Sequence, residues 1–329
     1  MSGHPLPYGR PNMPAAPAAY RGETYYGRAA VKPSPWDWRI GAYMFAAGMA
    51  GGSQILAALG EASKDRRWEG MVANARTVAV VNATVGGLLL ISDLKTPNRW
   101  YNMLRIFRPT SPMSIGSFVL TGFGTLSAAT LAGHALGWRR AARAAQVPAA
   151  LAGVGMTTYT GALLAATSTP AWSAAPRLLG ARMASAGMAS AAAALALGER
   201  AGGRGGTGQT LDRLALLATG LDLALSLTAD ASKNRAGVEA PRGGERMRRL
   251  SAYALAHALP LGLYALNAGV RRPSPGVSVA AALSVLVGQA LMRGHLLQSG
   301  QRSATRPGDY FRLTQPSRGV QRIGGAGDA

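Results

Sequence analysis

Six side chains able to carry a proton or a charge stand inside, or at the ends of, long apolar runs: Asp93, Ser114, Tyr159, Arg182, Asp222 and His257. Groups of this kind are costly in hydrocarbon, so their placement marks them as functional candidates. A tyrosine such as Tyr159 can donate a hydrogen bond to a carbonyl. A carboxylate such as Asp93, or an imidazole such as His257, can relay a proton. Arg182 and Asp222 suit a charged or hydrated path, and would equally suit a structural ion pair between neighbouring helices. A second concentration of polar chemistry is the connector at residues 93–114, DLKTPNRWYNMLRIFRPTSPMS. It carries Arg99, Trp100, Arg105 and Arg108, and it is long for a chain of tight turns. Pro109 and Pro112 bracket Thr110 and Ser111, which holds the hydroxyls in a fixed turn with a helix N-cap expected at Ser114.

The elements that must position these groups are eight apolar runs of about 20 residues each, at 38–59, 72–94, 114–136, 148–167, 178–198, 211–229, 250–270 and 276–297. Each is long enough to cross a hydrocarbon core of about 30 Å at 1.5 Å per residue. The expected fold is therefore all-α, a polytopic membrane protein with eight transmembrane helices. Trp36, Trp38, Trp68, Trp100, Trp138 and Trp172 fall at or just outside run ends, as an interfacial aromatic belt would. Hydrophobic residues make up 48% of the chain and charged residues only 15%, and the charge of +21 is concentrated between the apolar runs. That segregation excludes a nucleic-acid binder, which would place its basic residues on helix faces. With no cysteine, the chain has no thiolate-held iron–sulfur cluster, cysteine–zinc site or disulfide.

Eight crossings put both ends of the chain on one side, here called side A, together with the 93–114 connector and the 230–249 loop. Side A carries roughly twice the Lys and Arg of side B. The positive-inside rule then places the termini in the cytoplasm and the protein in the inner (cytoplasmic) membrane. Residues 1–35 lack the apolar core of a signal peptide and read as an extended tail able to lie on a partner. Residues 301–329 read as a flexible tail, which leaves 36–300 as the membrane domain.

The polar candidates gather in the side-A half; Tyr159 lies roughly 12 Å in from that face. On side B, Arg76 and His134 are near run ends and are expected to snorkel to the interface. His134, His257 and His295 show no paired spacing for haem, and internal carboxylates are too few for a metal site, so neither is expected. Gly48, Gly51 and Gly52 in the first run, and Gly180, Ala184 and Gly187 in the fifth, permit close helix packing. They would also permit a groove for a flat ligand.

Four pieces of the chain resemble the NrfD/PsrC family, the polytopic membrane subunits of molybdopterin and iron–sulfur oxidoreductases. They are Lys32-Pro33-x-Pro35-Trp36-x-Trp38 with Ala47-Gly48-Met49-Ala50-Gly51-Gly52; Asp93-Leu94-Lys95-Thr96-Pro97-Asn98-Arg99-Trp100; Arg108-Pro109-Thr110-Ser111-Pro112-Met113-Ser114-x-Gly116-Ser117; and Tyr159-Thr160-Gly161 with Pro170-x-Trp172. The resemblance runs over about residues 24–298. It implies two four-helix bundles without haem, a quinone (menaquinone or ubiquinone) in the first, and electron exchange with an iron–sulfur ferredoxin-like subunit and, through it, a molybdopterin catalytic subunit. By position it implies quinone contacts at Tyr159, at Trp38 to Tyr43 and at Asp93, with Ser114 in the turn that caps them. The chain departs from the pattern at Ile40, where some relatives have a polar side chain, and at Thr96, where a basic residue is usual.

The chemistry agrees with the residues. Quinol oxidation releases two electrons and two protons, and a chain with no cysteine and no evident haem ligands needs an external cluster to take the electrons. Such a chain is a subunit without the complex's catalytic centre. Arg99, Trp100, Arg105 and Arg108 are the expected docking surface for that partner. Arg182, Asp222 and His257 are the expected proton path. The rival readings are a pure anchor and a polytopic transporter; the two halves show neither an obvious repeat nor paired broken helices, as many transporters do.

Overall fold

The structure, a computed structural model, describes residues 31–314, and these fold almost wholly as helix. The helices are α1 Trp38–Ala62, α2 Glu69–Asp93, α3 Pro112–Ala135, α4 Arg139–Ala165, the short α5 Pro170–Ser173, α6 Pro176–Ala201, α7 Gly205–Arg235, α8 Gly244–Tyr253, α9 Leu259–Ala268, α10 Pro275–Thr305 and α11 Pro307–Thr314. Proline opens α3, α6 and α10, where its missing N–H is not needed and its φ is already helical. Asp37 caps α1, accepting the Arg39 N–H at 2.8 Å. The N-cap of α3 is Ser111, one residue before Pro112, and not the expected Ser114. The Ser114 hydroxyl instead accepts the Arg108 N–H at 2.9 Å and ties the connector down.

Among the described residues, seven helices are long and apolar enough to cross a membrane: α1, α2, α3, α4, α6, α7 and α10. The expected span at 250–270 is not one of them. It is split into α8, a π-helical turn Ala254–Ala258, and α9. Pro260 explains the break: it has no N–H to donate, and its ring crowds the carbonyl four residues back, at Ala256. A wider π turn there relieves the crowding.

Two helices form the centre. The apolar windows of α1 and α6 are each 67% buried, against 28% for α2 and 22% for α3. A Cβ built on Gly48 would lie 3.2 Å from the Gly187 Cα, and one on Gly52 would lie 2.9 Å from the Gly187 carbonyl oxygen. Gly51 meets the carbonyl of Gly153 on α4 in the same way. These glycines therefore bring backbones into contact and leave no groove between them. Around this centre α1 packs on α2 and α4, α3 on α4, α6 on α7, and α10 on α6 and α9.

Three sequence expectations change in the folded chain. Trp172 does not join the aromatic belt: it is fully buried, stacks on Trp36 at 5.8 Å and donates its Nε1–H to the Leu296 carbonyl at 3.0 Å. Gly300 makes room for its ring. Arg76 does not snorkel: it is 2% exposed and held by Glu61 at 2.6 Å and by Gln146 at 2.8 Å, since interior acceptors satisfy its guanidinium better than a long reach to water. Helix continues beyond residue 300 through α10 and α11; α11 docks through Asp309, which accepts the Glu239 N–H at 2.9 Å, and Arg312, which donates to the Gly237 carbonyl at 3.1 Å. The expectations for residues 1–30 and 315–329 lie outside the described residues.

Candidate functional site

At the side-A ends of α1 to α4 the helices diverge around a cavity of about 280 Å³. Its walls are mostly apolar, with Ile40 and Met44 from α1, Leu90 from α2, Leu120 from α3 and Leu163 from α4. Polar groups are few. Tyr43 lines the cavity from α1 and packs on Gly86, where a Cβ would come within 3.2 Å of its ring. Among the described residues no hydrogen bond occupies the Tyr43 hydroxyl. Tyr159 lines the cavity from α4 and donates its hydroxyl to the Pro112 carbonyl at 2.6 Å. Gly116 allows this, because any side chain there would overlap the Tyr159 ring. Asp93 reaches the rim from the last residue of α2. A carboxylate there faces the negative end of the helix dipole, and no cation pairs with it among the described residues. That is a poor place for a purely structural acid.

The connector roofs the cavity. Residues Pro97–Leu104 form a 3₁₀ helix interrupted at Arg99, whose φ and ψ are −110° and 18°. Trp100, Met103 and Leu104 turn inward to line the cavity, while Arg99, Arg105 and Arg108 are exposed outside it. Two expected pocket residues lie elsewhere: Trp38 is 70% exposed on the outer face of α1, and Ser114 is engaged with the connector backbone. Trp36, quoted within the Lys32–Trp38 motif but not expected at the pocket, lines the cavity in place of Trp38.

A second polar centre lies between α6, α7, α10 and the π turn. Asp222 Oδ2 is 2.8 Å from His257 Nε2 and accepts the Gln289 Nε2–H at 2.8 Å. Ser185 donates to Oδ1 at 3.4 Å. Arg182 and Arg293, 5% and 4% exposed, interact electrostatically with Asp222 without contacting it. Arg182, Asp222 and His257 thus share one site, with His257 rather than Arg182 as the direct partner of the acid. Toward side A, Asp230 binds Tyr253 at 2.5 Å, Arg249 at 2.7 Å and Lys233 at 3.1 Å, beside a small crevice of about 60 Å³ that His295 also lines. Gln289 and Arg293 were missed by sequence reasoning. Their spacing of four residues on one face of an apolar run was the available signal.

The cavity and the connector lie within the part of the chain that a known protein family matches. The family described as polysulphide reductase, NrfD, matches residues 28–229, which holds α1 to α6 and most of α7. Over 91 residues the chain is 30% identical to the C subunit of polysulfide reductase from Wolinella succinogenes, a stretch that is 27% of this chain and 29% of that protein. The chain thus spans under a third of that relative. The family match, more than half the chain, together with helices able to cross a membrane several times, establishes a multi-pass membrane protein that belongs to the NrfD polysulphide reductase family.

Proposed function

We propose that this chain is the quinone-reactive membrane subunit of a multisubunit oxidoreductase. It exchanges electrons between the quinone pool and an iron–sulfur ferredoxin-like subunit, which in turn serves a molybdopterin subunit. The observation that carries the reading is the apolar cavity of about 280 Å³, with two tyrosines and one acid, beneath an exposed basic connector. Its walls suit a flat apolar ring, and Tyr43, Tyr159 and Asp93 suit the polar edge of that ring. A bound quinone supplies two-electron, two-proton chemistry. The chain's own residues orient and deprotonate. The Tyr43 hydroxyl is open to donate, the Tyr159 oxygen keeps lone pairs to accept, and Asp93 can hold a proton at the rim. Arg99, Arg105 and Arg108, with Trp100 among them, form the docking surface for the partner.

In this reading α8, the π turn and α9 together make the eighth crossing, since their helical backbone is continuous from Gly244 to Ala268. The two groups of four helices then meet along α1 and α6, and both termini lie on the cytoplasmic side of the inner membrane. Asp222 and His257 serve a proton path in the second group.

One observation favours a pure anchor instead: the Tyr159 hydroxyl already has a partner in Pro112. Photolabelling of the purified complex with an azidoquinone, followed by quinol-dependent reduction of the iron–sulfur subunit, separates the two. Labelling of α1 or α4 around Tyr43 and Tyr159, with cluster reduction, supports the quinone reading. Absence of both would leave an anchor.

A further inference from the structure

The opposite ends of α1 to α4 enclose another cavity, of about 510 Å³, whose lining is charged. Its acids are all engaged. Glu61 binds Arg76 at 2.6 Å and Arg143 at 3.8 Å; Glu69 binds Arg66 at 3.6 Å; Asp65 binds Arg67 at 2.7 Å. Lys64, Arg139 and His134 line the same cavity and have no acidic partner among the described residues. The first turn of α4, starting at Arg139, has no side-chain cap; the Arg139 N–H turns back to the Gly137 carbonyl at 2.9 Å, and the N–H groups of Arg140 and Ala141 add to the positive field.

Lys64 has a φ of 56°, the one positive value outside glycine among the described residues. It follows the C-cap of α1, where helices commonly recruit glycine because a side chain is strained there. The chain keeps a lysine at that strained position and so keeps its ammonium at the cavity. The neighbourhood is also apolar: Leu59, Leu136 and Trp138, each a near sequence neighbour of a lining residue, are 61%, 60% and 64% exposed. An occupant must therefore be anionic at one end and apolar at the other. Free phosphate would meet the cations and leave the apolar residues uncovered.

We propose that this cavity binds the phosphate headgroup of an anionic phospholipid, with Lys64 and Arg139 as its principal cations and the acyl chains along the lipid-facing sides of α2 and α3. Both helices keep most of their apolar surface outside the protein. The site lies at the membrane face remote from Tyr159, and none of its readouts involves quinol turnover.

The test is equilibrium binding of short-chain phosphatidylglycerol and phosphatidylcholine to the full-length protein in detergent, with inorganic phosphate as competitor. Phosphatidylglycerol should bind at least about tenfold more tightly than phosphatidylcholine. Lys64→Gln with Arg139→Gln should weaken it by about 10- to 30-fold, two headgroup cations being lost. Lys64→Gly should raise the melting temperature of lipid-free protein, by relieving the strained φ, while weakening phosphatidylglycerol several-fold. That combination does not follow from a structural role alone. Equal affinity for the two lipids, or wild-type affinity in Lys64→Gly, overturns the assignment. Displacement of the lipid by millimolar phosphate overturns it in favour of a free-anion site.

Discussion

Tyr159 on α4 donates its hydroxyl to the Pro112 carbonyl, 2.6 Å away in the first turn of α3, and so closes one side of the apolar cavity. Tyr159→Phe keeps the ring and removes the oxygen that bonds Pro112 and that, in the proposed role, accepts a hydrogen bond from the quinol; one such bond to the quinol is worth about 1 kcal/mol net, and up to about 3 if its hydroxyl is left unpaired. In the proposed role, quinol turnover should fall about 5- to 100-fold, at tenfold per 1.36 kcal/mol. Retention of the iron–sulfur partner should not change. Steady-state kinetics with a short-chain quinol on purified membranes decide it: unchanged kinetics would make Tyr159 a packing residue.

Gly116 is the counterpart of that contact. Gly116→Ala places a methyl group inside the space of the Tyr159 ring. Overpacking of this kind costs roughly 1–3 kcal/mol. Thermal unfolding in detergent should show the loss, and Gly116→Ala combined with Tyr159→Ala should recover part of it. A double variant no more stable than the sum of the two singles would remove the steric account.

Asp222 is the carboxylate that His257 contacts and that lies near both Arg182 and Arg293. Asp222→Asn leaves two buried guanidinium groups without it. Breaking a buried charged set typically costs about 3–5 kcal/mol, so accumulation and melting temperature should both drop. His257→Gln keeps a donor for Asp222 and removes the imidazole, so it should accumulate normally. In the proposed role it should still lower quinol turnover, because the amide cannot relay a proton. A His257→Gln protein with wild-type turnover would confine the pair to a structural role.

Arg99 and Arg108 are exposed in the connector above the cavity. Charges so placed are screened within about 10 Å at 0.1 M salt. Arg99→Ala and Arg108→Ala should release the partner subunit at lower salt than wild type while leaving quinone affinity within about twofold. Copurification across a salt series measures this, and an unaltered release point would move the docking surface elsewhere.

Asp309 tests the docking of α11. Burial raises its carboxyl above the ordinary aspartate value, against the pull of the Glu239 N–H and of Arg306, and its Oδ2 has no hydrogen-bond partner among the described residues. A raised folded-state value means that the neutral form fits the fold better. Docking should therefore tighten as pH falls through that raised value, and gain nothing further below the unfolded value near 3.9. Asp309→Asn should dock as well at neutral pH and lose the dependence. Hydrogen exchange of 307–314 against pH is the measurement; protection that falls on acidification would reverse the sign.

The sequence alone determined that the chain crosses a membrane many times. Backbone in hydrocarbon must satisfy its own hydrogen bonds, so each crossing needs a long apolar helix that is visible as a run. It also placed Asp93 and Tyr159 toward one end of their helices, since depth along a helix follows from counting residues; Tyr43 entered only through the family resemblance. Tertiary structure alone decided which side chains meet. A helix facing lipid is as apolar outside as inside, so periodicity said little about which face of α2 or α3 was buried. The sequence therefore could not choose His257 over Arg182 as the direct partner of Asp222, draw Arg76 inward to Glu61 and Gln146, or bury Trp172 against Leu296 and Gly300. Nor could it separate glycines that pack from glycines that line a groove: Gly48 and Gly52 became packing residues only because Gly187 stands opposite them, and proximity between distant residues is a property of the fold.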